Sequence, residues 1–173
     1  MTQPLSIEDL RRIRSAEGWA ELGDTDEATR ELSAVGPEFQ SHPEVLAARW
    51  IIFSHCGKWD AGKKTASALI EIDSNCSQYW IWLAYATRRA SPEGIKEAHT
   101  ILVNAHTRFP SEPMILFNLA CYETQMNNLL CAGQWLCKAF DRAKGVSDAT
   151  YRFFRNLAKE DPDLAPFWRA QSQ

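Results

Sequence analysis

The sequence is short of the features that announce most chemistries. Its 173 residues hold five cysteines, an odd number without paired spacing, which suits reduced, buried thiols better than a disulfide framework. Neither C-x-x-C nor H-E-x-x-H occurs, so the usual local signatures of a zinc or redox site are missing. No apolar run approaches the roughly 18 residues a membrane span requires. Met1 to Leu10 lacks both the basic start and the apolar stretch of a secretory signal, and the expectation is a cytoplasmic protein. Positive charge is scarce too, with 19 Lys and Arg against 22 Asp and Glu for a net −3. Affinity for nucleic acid scales with the phosphates that basic residues neutralise, so nucleic acid is not an expected partner.

What is present is close to a globular average, 45% apolar and 24% charged, with seven tryptophans as the outlier. Offsetting the sequence by 34 residues aligns Gly23 with Gly57, Ala28 with Gly62, Trp19 with Phe53, Ala98 with Ala132 and Leu102 with Leu136. The register breaks once, because Gly62 and Ala98 are 36 apart, and Ser91-Pro92-Glu93-Gly94 marks the internal turn that takes the extra length. Apolar residues at i, i+3, i+4 and i+7 predict helices near 6–21, 25–38, 43–56, 59–73, 76–89, 92–107, 112–126 and 129–143, with further turns from about 148. Ser6 and Asp9 form a capping box at the first start, Asp24 caps the second helix, and Pro92 is placed at the first helical position of the sixth. A single helix pair cannot bury its apolar stripe, so the units are expected to stack, with Ala28, Gly62, Ala98 and Ala132 where helices approach closely.

The stretch Trp80-x2-Leu83-Ala84 followed by Ala98-x3-Leu102-x2-Ala105-x4-Pro110 resembles the tetratricopeptide repeat, and Leu116-x2-Leu119-Ala120 with Ala132-x3-Leu136-x2-Ala139 is similar. The resemblance runs from about residue 8 to 144 and implies an all-α fold, a right-handed helical solenoid of antiparallel helix pairs. Its units would be 9–42, 43–76, 77–112 and 113–146 within a single array 1–173, and residues 147–173 look like the closing cap of bacterial arrays.

Enzymatic readings are weak by comparison. Gly57-Lys58-Trp59-Asp60-Ala61-Gly62-Lys63-Lys64-Thr65 imitates a phosphate-binding loop after Trp50–Phe53, but Lys64 stands where the motif needs Ser or Thr after Lys63. His99 and His106 lie two turns apart on one helix, a spacing that suits surface histidines better than one metal ion. Cys131 and Cys137 fall on different helix faces and read as buried structural thiols. The acidic residues Asp24, Asp26, Glu27 and Glu93 sit in first turns that favour negative charge. No catalytic residue, metal or cofactor is expected.

In the tetratricopeptide family the first helix of each pair lines a groove that takes a peptide or a partner's helix. Carried onto this sequence, that implies Ile13, Glu17, Ala47, Ile51 and Ser54, then Ile81, Tyr85 and Arg88, then Phe117, Asn118, Cys121 and Thr124 as groove slots. The chosen partner-binding set is Ile51, Ile81, Tyr85, Arg88, Phe117, Asn118 and Cys121, with Arg88 and Asn118 as directional donors among apolar anchors. The expected function is a non-catalytic adaptor or scaffold that binds a protein or peptide. The alternatives are a chaperone of the type III secretion kind for a hydrophobic translocator and, third, a nucleotide-binding protein. Trp19, Trp59, Trp80 and Trp50 are assigned to packing slots, and Trp82, Trp135 and Trp168 fall outside them.

Overall fold

Local capping chemistry sets the helix ends of this chain. The computed structural model describes residues 4–171, and ten α-helices run through them: α1 (Ile7–Glu21), α2 (Thr25–Ser33), α3 (Pro43–His55), α4 (Trp59–Ile72), α5 (Ser77–Ala90), α6 (Gly94–Arg108), α7 (Pro113–Gln125), α8 (Leu129–Val146), α9 (Asp148–Glu160) and α10 (Ala165–Gln171). Two short 3-10 turns, Pro37–Phe39 and Pro162–Leu164, complete the order. The described residues contain no strand.

The tight turns inside the helix pairs repeat one geometry. Gly23 (φ 84°), Gly57 (φ 64°) and Asn127 (φ 63°) each take the left-handed conformation after α1, α3 and α7. The next amide then reaches back to the helix in each case: Asp24 N–H to Trp19 O at 2.9 Å, Lys58 N–H to Phe53 O at 2.9 Å, and Asn128 N–H to Glu123 O at 2.8 Å. This closure satisfies carbonyls that a helix end otherwise leaves open. Asp24, Lys58 and Asn128 also stand immediately before α2, α4 and α8, so one residue ends a helix and starts the next.

The third turn differs. α6 begins at Gly94 and not at Pro92, because Gly94 N–H closes a turn onto Ser91 O at 3.1 Å before the helix can start. A Cβ at Gly94 would overlap the carbonyl oxygen of Thr87, so the approach of this turn to α5 requires glycine. The second helix is likewise shorter than the periodicity predicts, ending at Ser33. Gly36 and Pro37 redirect the chain there, and the Gln40 side-chain amide donates to Val35 O at 2.8 Å to close the end.

At the amino-terminal start the capping box forms. Ser6 Oγ accepts from Asp9 N–H at 3.1 Å and donates to Asp9 Oδ2 at 2.6 Å. Asp9 Oδ1 accepts from Gly36 N–H at 3.2 Å, which ties α1 to the chain after α2. The Ser6 hydroxyl and the Gly36 amide hold the Asp9 carboxyl below its ordinary range.

The chain groups into two compact units, divided between Gly94 and Ile95. The first has a core of Ile13, Ala16, Ala20, Ala28, Val35, Val45, Ala48 and Ile52 between α1, α2 and α3. The second packs α7 on α8, and α9 on α8, around Leu119, Leu136, Ala139 and Phe154. The small positions Ala28, Ala98 and Ala132 are all closed to solvent, as is Gly62, which sits against Trp50 and Ala86. Trp19 departs from its packing assignment and is 39% exposed.

Candidate functional site

Aromatic side chains at i, i+3 and i+6 along α5 put Tyr79, Trp82 and Tyr85 on a common stripe of the first unit. Trp50 of α3 stacks on Trp82 with centroids 4.5 Å apart, and Tyr79 tilts onto the same indole at 5.8 Å. Tyr85 meets the rings of Trp50 and Trp59 edge-on at 6.2 and 5.8 Å. The Arg89 guanidinium lies over Tyr85, 3.4 Å from its centroid, and 5.5 Å from the Trp59 ring. Its Nη1 is buried without a hydrogen-bond partner, so ring faces replace the acceptors that guanidinium ordinarily uses. Trp82, which falls outside the packing slots of the repeat register, is part of the cluster.

The groove residues inferred from the family resemblance divide by unit. In the first unit Ile51, Tyr85 and Arg88 are half-buried and Ile81 is buried. The cation that stacks on Tyr85 is Arg89, one position beyond Arg88. Glu17 is half-buried, and burial together with the neighbouring Glu21 and Glu44 raises its carboxyl above the usual range.

In the second unit the slots on α7 are covered from the carboxyl-terminal side. Phe117 is 2% exposed and meets the ring of Phe154 on α9 at 5.8 Å. Cys121 is also 2% exposed, with its Sγ 3.9 Å from Asp161 Oδ2. The Asn118 amide donates to Met114 O at 2.8 Å within its own helix, which uses one of the donors expected to face a partner. Thr124 is buried in the same way, its hydroxyl donating to Ala120 O at 2.9 Å.

Other assignments change with the geometry. Cys131 and Cys137 are exposed, and of the five thiols only Cys121 is buried, because α8 carries apolar residues on its outer face as well as its inner one. His99 and His106 are half-buried. His99 Nε2 donates to the buried carboxylate of Glu123 at 2.9 Å, and His106 packs edge-on against Trp135 at 5.3 Å. Trp50–Phe53 lies within α3 and Lys63 within α4, so the strand that would precede a phosphate-binding loop is a helix. Cys121, Asp161 and Asp163 bring ligand atoms within 4.8 Å of one another, but Asp161 Oδ1 caps the following turn through Asp163 N–H at 2.9 Å.

The second unit is open along one side of α8. A cleft of about 900 Å³ lies there among α8, α9 and α10, with Leu129, Leu136, Phe140, Phe167 and Trp168 in its lining. Phe167 is 7% exposed, and the Trp168 indole N–H donates to Ala158 O at 2.6 Å. Sequence periodicity could not find this site, since it is built by α10 folding back across α8.

No helix among the described residues is long and apolar enough to cross a membrane. No protein-family model and no curated protein matches the sequence. Solved structures do match. MamA RS-1, as an ArsTM double mutant, is similar with a TM-score of 0.66 at 12% identity, covering 83% of this chain and 80% of that one. MamA AMB-1 matches at 0.59 and 12% identity over 96% and 91% of the two chains. MamA MSR-1 matches at 0.58 and 15% identity over 96% and 97%. At these identities the likeness establishes the fold, an all-α helical-repeat solenoid.

Proposed function

We propose that the chain is a non-catalytic interaction module of the tetratricopeptide type, an adaptor or scaffold that holds a segment of a partner protein. The 34-residue register of the sequence supports the repeat assignment, as does the recurrence of one turn geometry at Gly23, Gly57 and Asn127. The observation that carries the functional reading is the α5 face. Tyr79, Trp82 and Tyr85 leave part of their rings in solvent while stacking fixes their orientation. Large preorganised aromatics beside arginine are the composition of protein-binding hot spots, because they bury much area for little lost conformational freedom. In this reading Ile51, Tyr85 and Arg88 contact the partner directly, and Phe117 and Cys121 support the second unit from inside.

The test is affinity capture from the source lysate with the wild-type chain and a Tyr85→Ala, Arg88→Ala variant. The variant is expected to lose the captured partners while its circular dichroism spectrum stays helical. Retention of every partner by a folded variant would remove the α5 face as the site.

A further inference from the structure

The face of α8 that carries Leu130, Gly133 and Cys137 is covered only in part. α10 crosses it at Gly133, where an added Cβ would stand 3.3 Å from the Phe167 ring. Beyond that crossing the cleft of about 900 Å³ is open, and Leu130 at its edge is 79% exposed. Volumes of roughly 300–1,000 Å³ are those of ligand-binding clefts.

Its shape follows α8. Leu130, Gly133 and Cys137 line it at i, i+3 and i+7, and the lining from Leu129 to Phe140 runs about 16 Å along the helix axis at 1.5 Å per residue. The small side chains of Gly133 and Cys137 leave a furrow between larger neighbours, the surface into which a second helix sets its ridge.

Its charge is of one sign. Lys138 and Arg155 are the charged residues of the lining, which contains no carboxylate. Lys138 Nζ rests over the Trp135 ring at 4.3 Å and Arg155 over Phe140 at 5.2 Å. Neither has an ion-pair partner among the described residues. Ring contacts hold these cations at the rim without consuming their N–H donors, which stay directed to solvent.

We propose that this cleft receives an acidic amphipathic helix of a partner protein, with large apolar side chains seated between α8 and α10 and flanking carboxylates on Lys138 and Arg155. The same charges argue against a second copy docking through its α1. The exposed Ile7 of that helix, 85% accessible, lines a surface hollow together with Arg11 and Arg14, so basic would meet basic. The site is separate from the α5 face, and the Tyr85→Ala, Arg88→Ala protein keeps it intact. Binding there survives or fails independently of the first reading.

Cys137 reports occupancy, because it lies in the cleft and is exposed, whereas the exposed Cys131 is outside the lining. The probe is a synthetic peptide of about 20 residues, long enough to hold a helix, with leucines at i, i+3, i+4 and i+7 and glutamates beside them. Labelling of the full chain by dithionitrobenzoate is followed at each cysteine by mass spectrometry. The peptide is expected to slow labelling of Cys137 several-fold and leave Cys131 unchanged. A version with lysine for every glutamate is expected to give no protection. The Lys138→Glu, Arg155→Glu protein is expected to reverse that preference. Equal protection by the two peptides, or none by either, overturns the proposal. So does protection without peptide that grows with protein concentration, which would assign the cleft to a second copy.

Discussion

The indole of Trp50 lies flat on that of Trp82, with centroids 4.5 Å apart and planes 7° from parallel. The pair joins α3 directly to α5, and the same Trp50 indole lies against Gly62 of α4. Trp50 is 7% exposed, so losing its stacking partner leaves a buried ring without cover. Trp82→Ala is expected to cost about 2–4 kcal/mol, below the largest values for fully buried tryptophan because Trp82 keeps part of its ring in solvent. Urea denaturation reads this as a lower midpoint at unchanged slope. An unchanged midpoint would mean that the stack contributes no stability.

Two glycines are expected to respond in opposite directions. A Cβ at Gly62 would sit 3.6 Å from Ala86 Cβ and 3.6 Å from Trp50 Nε1, which is ordinary contact. Gly62→Ala should therefore stabilise the protein by about 0.5–1 kcal/mol, since glycine in a helix interior carries an entropic cost. At Gly94 the added atom overlaps Thr87 O and stands 3.1 Å from the Thr87 carbonyl carbon. Gly94→Ala should lower the melting temperature, and calorimetry on the pair gives both signs in one experiment.

Much of the fold was legible because its signals are local. Ser6, Asp24 and Gly57 announce helix ends through chemistry within a few residues, and the observed boundaries follow them. The small positions Ala28, Gly62, Ala98 and Ala132 were legible through the repeat register. The candidate sites were less so. Periodicity shows that Phe117 and Cys121 lie on a particular face of α7, but that face is closed by Phe154 and Asp161, which arrive from 37 and 40 positions away in the chain. On α8 the difficulty is reversed. Leu130, Cys131 and Cys137 are apolar and exposed, and an apolar outer face looks like core in one dimension. Arg89, which stacks on Tyr85, was not singled out by the sequence; it lies one position from Arg88, about 100° around a helix.

Glu123 is a buried carboxylate, 8% exposed, with both oxygens used. Oε1 accepts from His99 Nε2 at 2.9 Å, and Oε2 accepts from Asn128 Nδ2 at 2.8 Å. It therefore links α6 to the turn before α8. Glu123→Ala removes the acceptor of half-buried His99 and of exposed Asn128 and should cost about 1–3 kcal/mol for the two lost hydrogen bonds. Glu123→Gln keeps one acceptor oxygen and should lose less, so the ranking wild type, Gln, Ala in denaturation midpoint checks the network. Equal loss in the two variants would mean that shape, and not the acceptor pair, matters at this position.

His106 makes stability depend on pH with a definite sign. Burial against Trp135, then the nearby positive charges of Lys138 and Arg142, push its imidazole below the ordinary value of 6.5. Its Nδ1 is buried without a hydrogen-bond partner, so a proton placed there would have no acceptor. The unfolded chain thus binds this proton more tightly than the folded one, and stability rises with pH where the two states differ. The contribution is fully present above 6.5 and is lost as pH falls through the depressed folded value. His106→Phe keeps the ring contact and removes the titration. The melting temperature of the wild type should fall more steeply than that of the variant as pH drops below 6.5, with parallel behaviour above it. Because carboxylates also titrate on the acid side in both proteins, the difference between the two curves is the quantity to read. Lys138→Gln should flatten that difference only in part, since burial is the larger cause and remains. A difference that stays constant across the range would show that the imidazole titrates as freely in the folded chain as in the unfolded one.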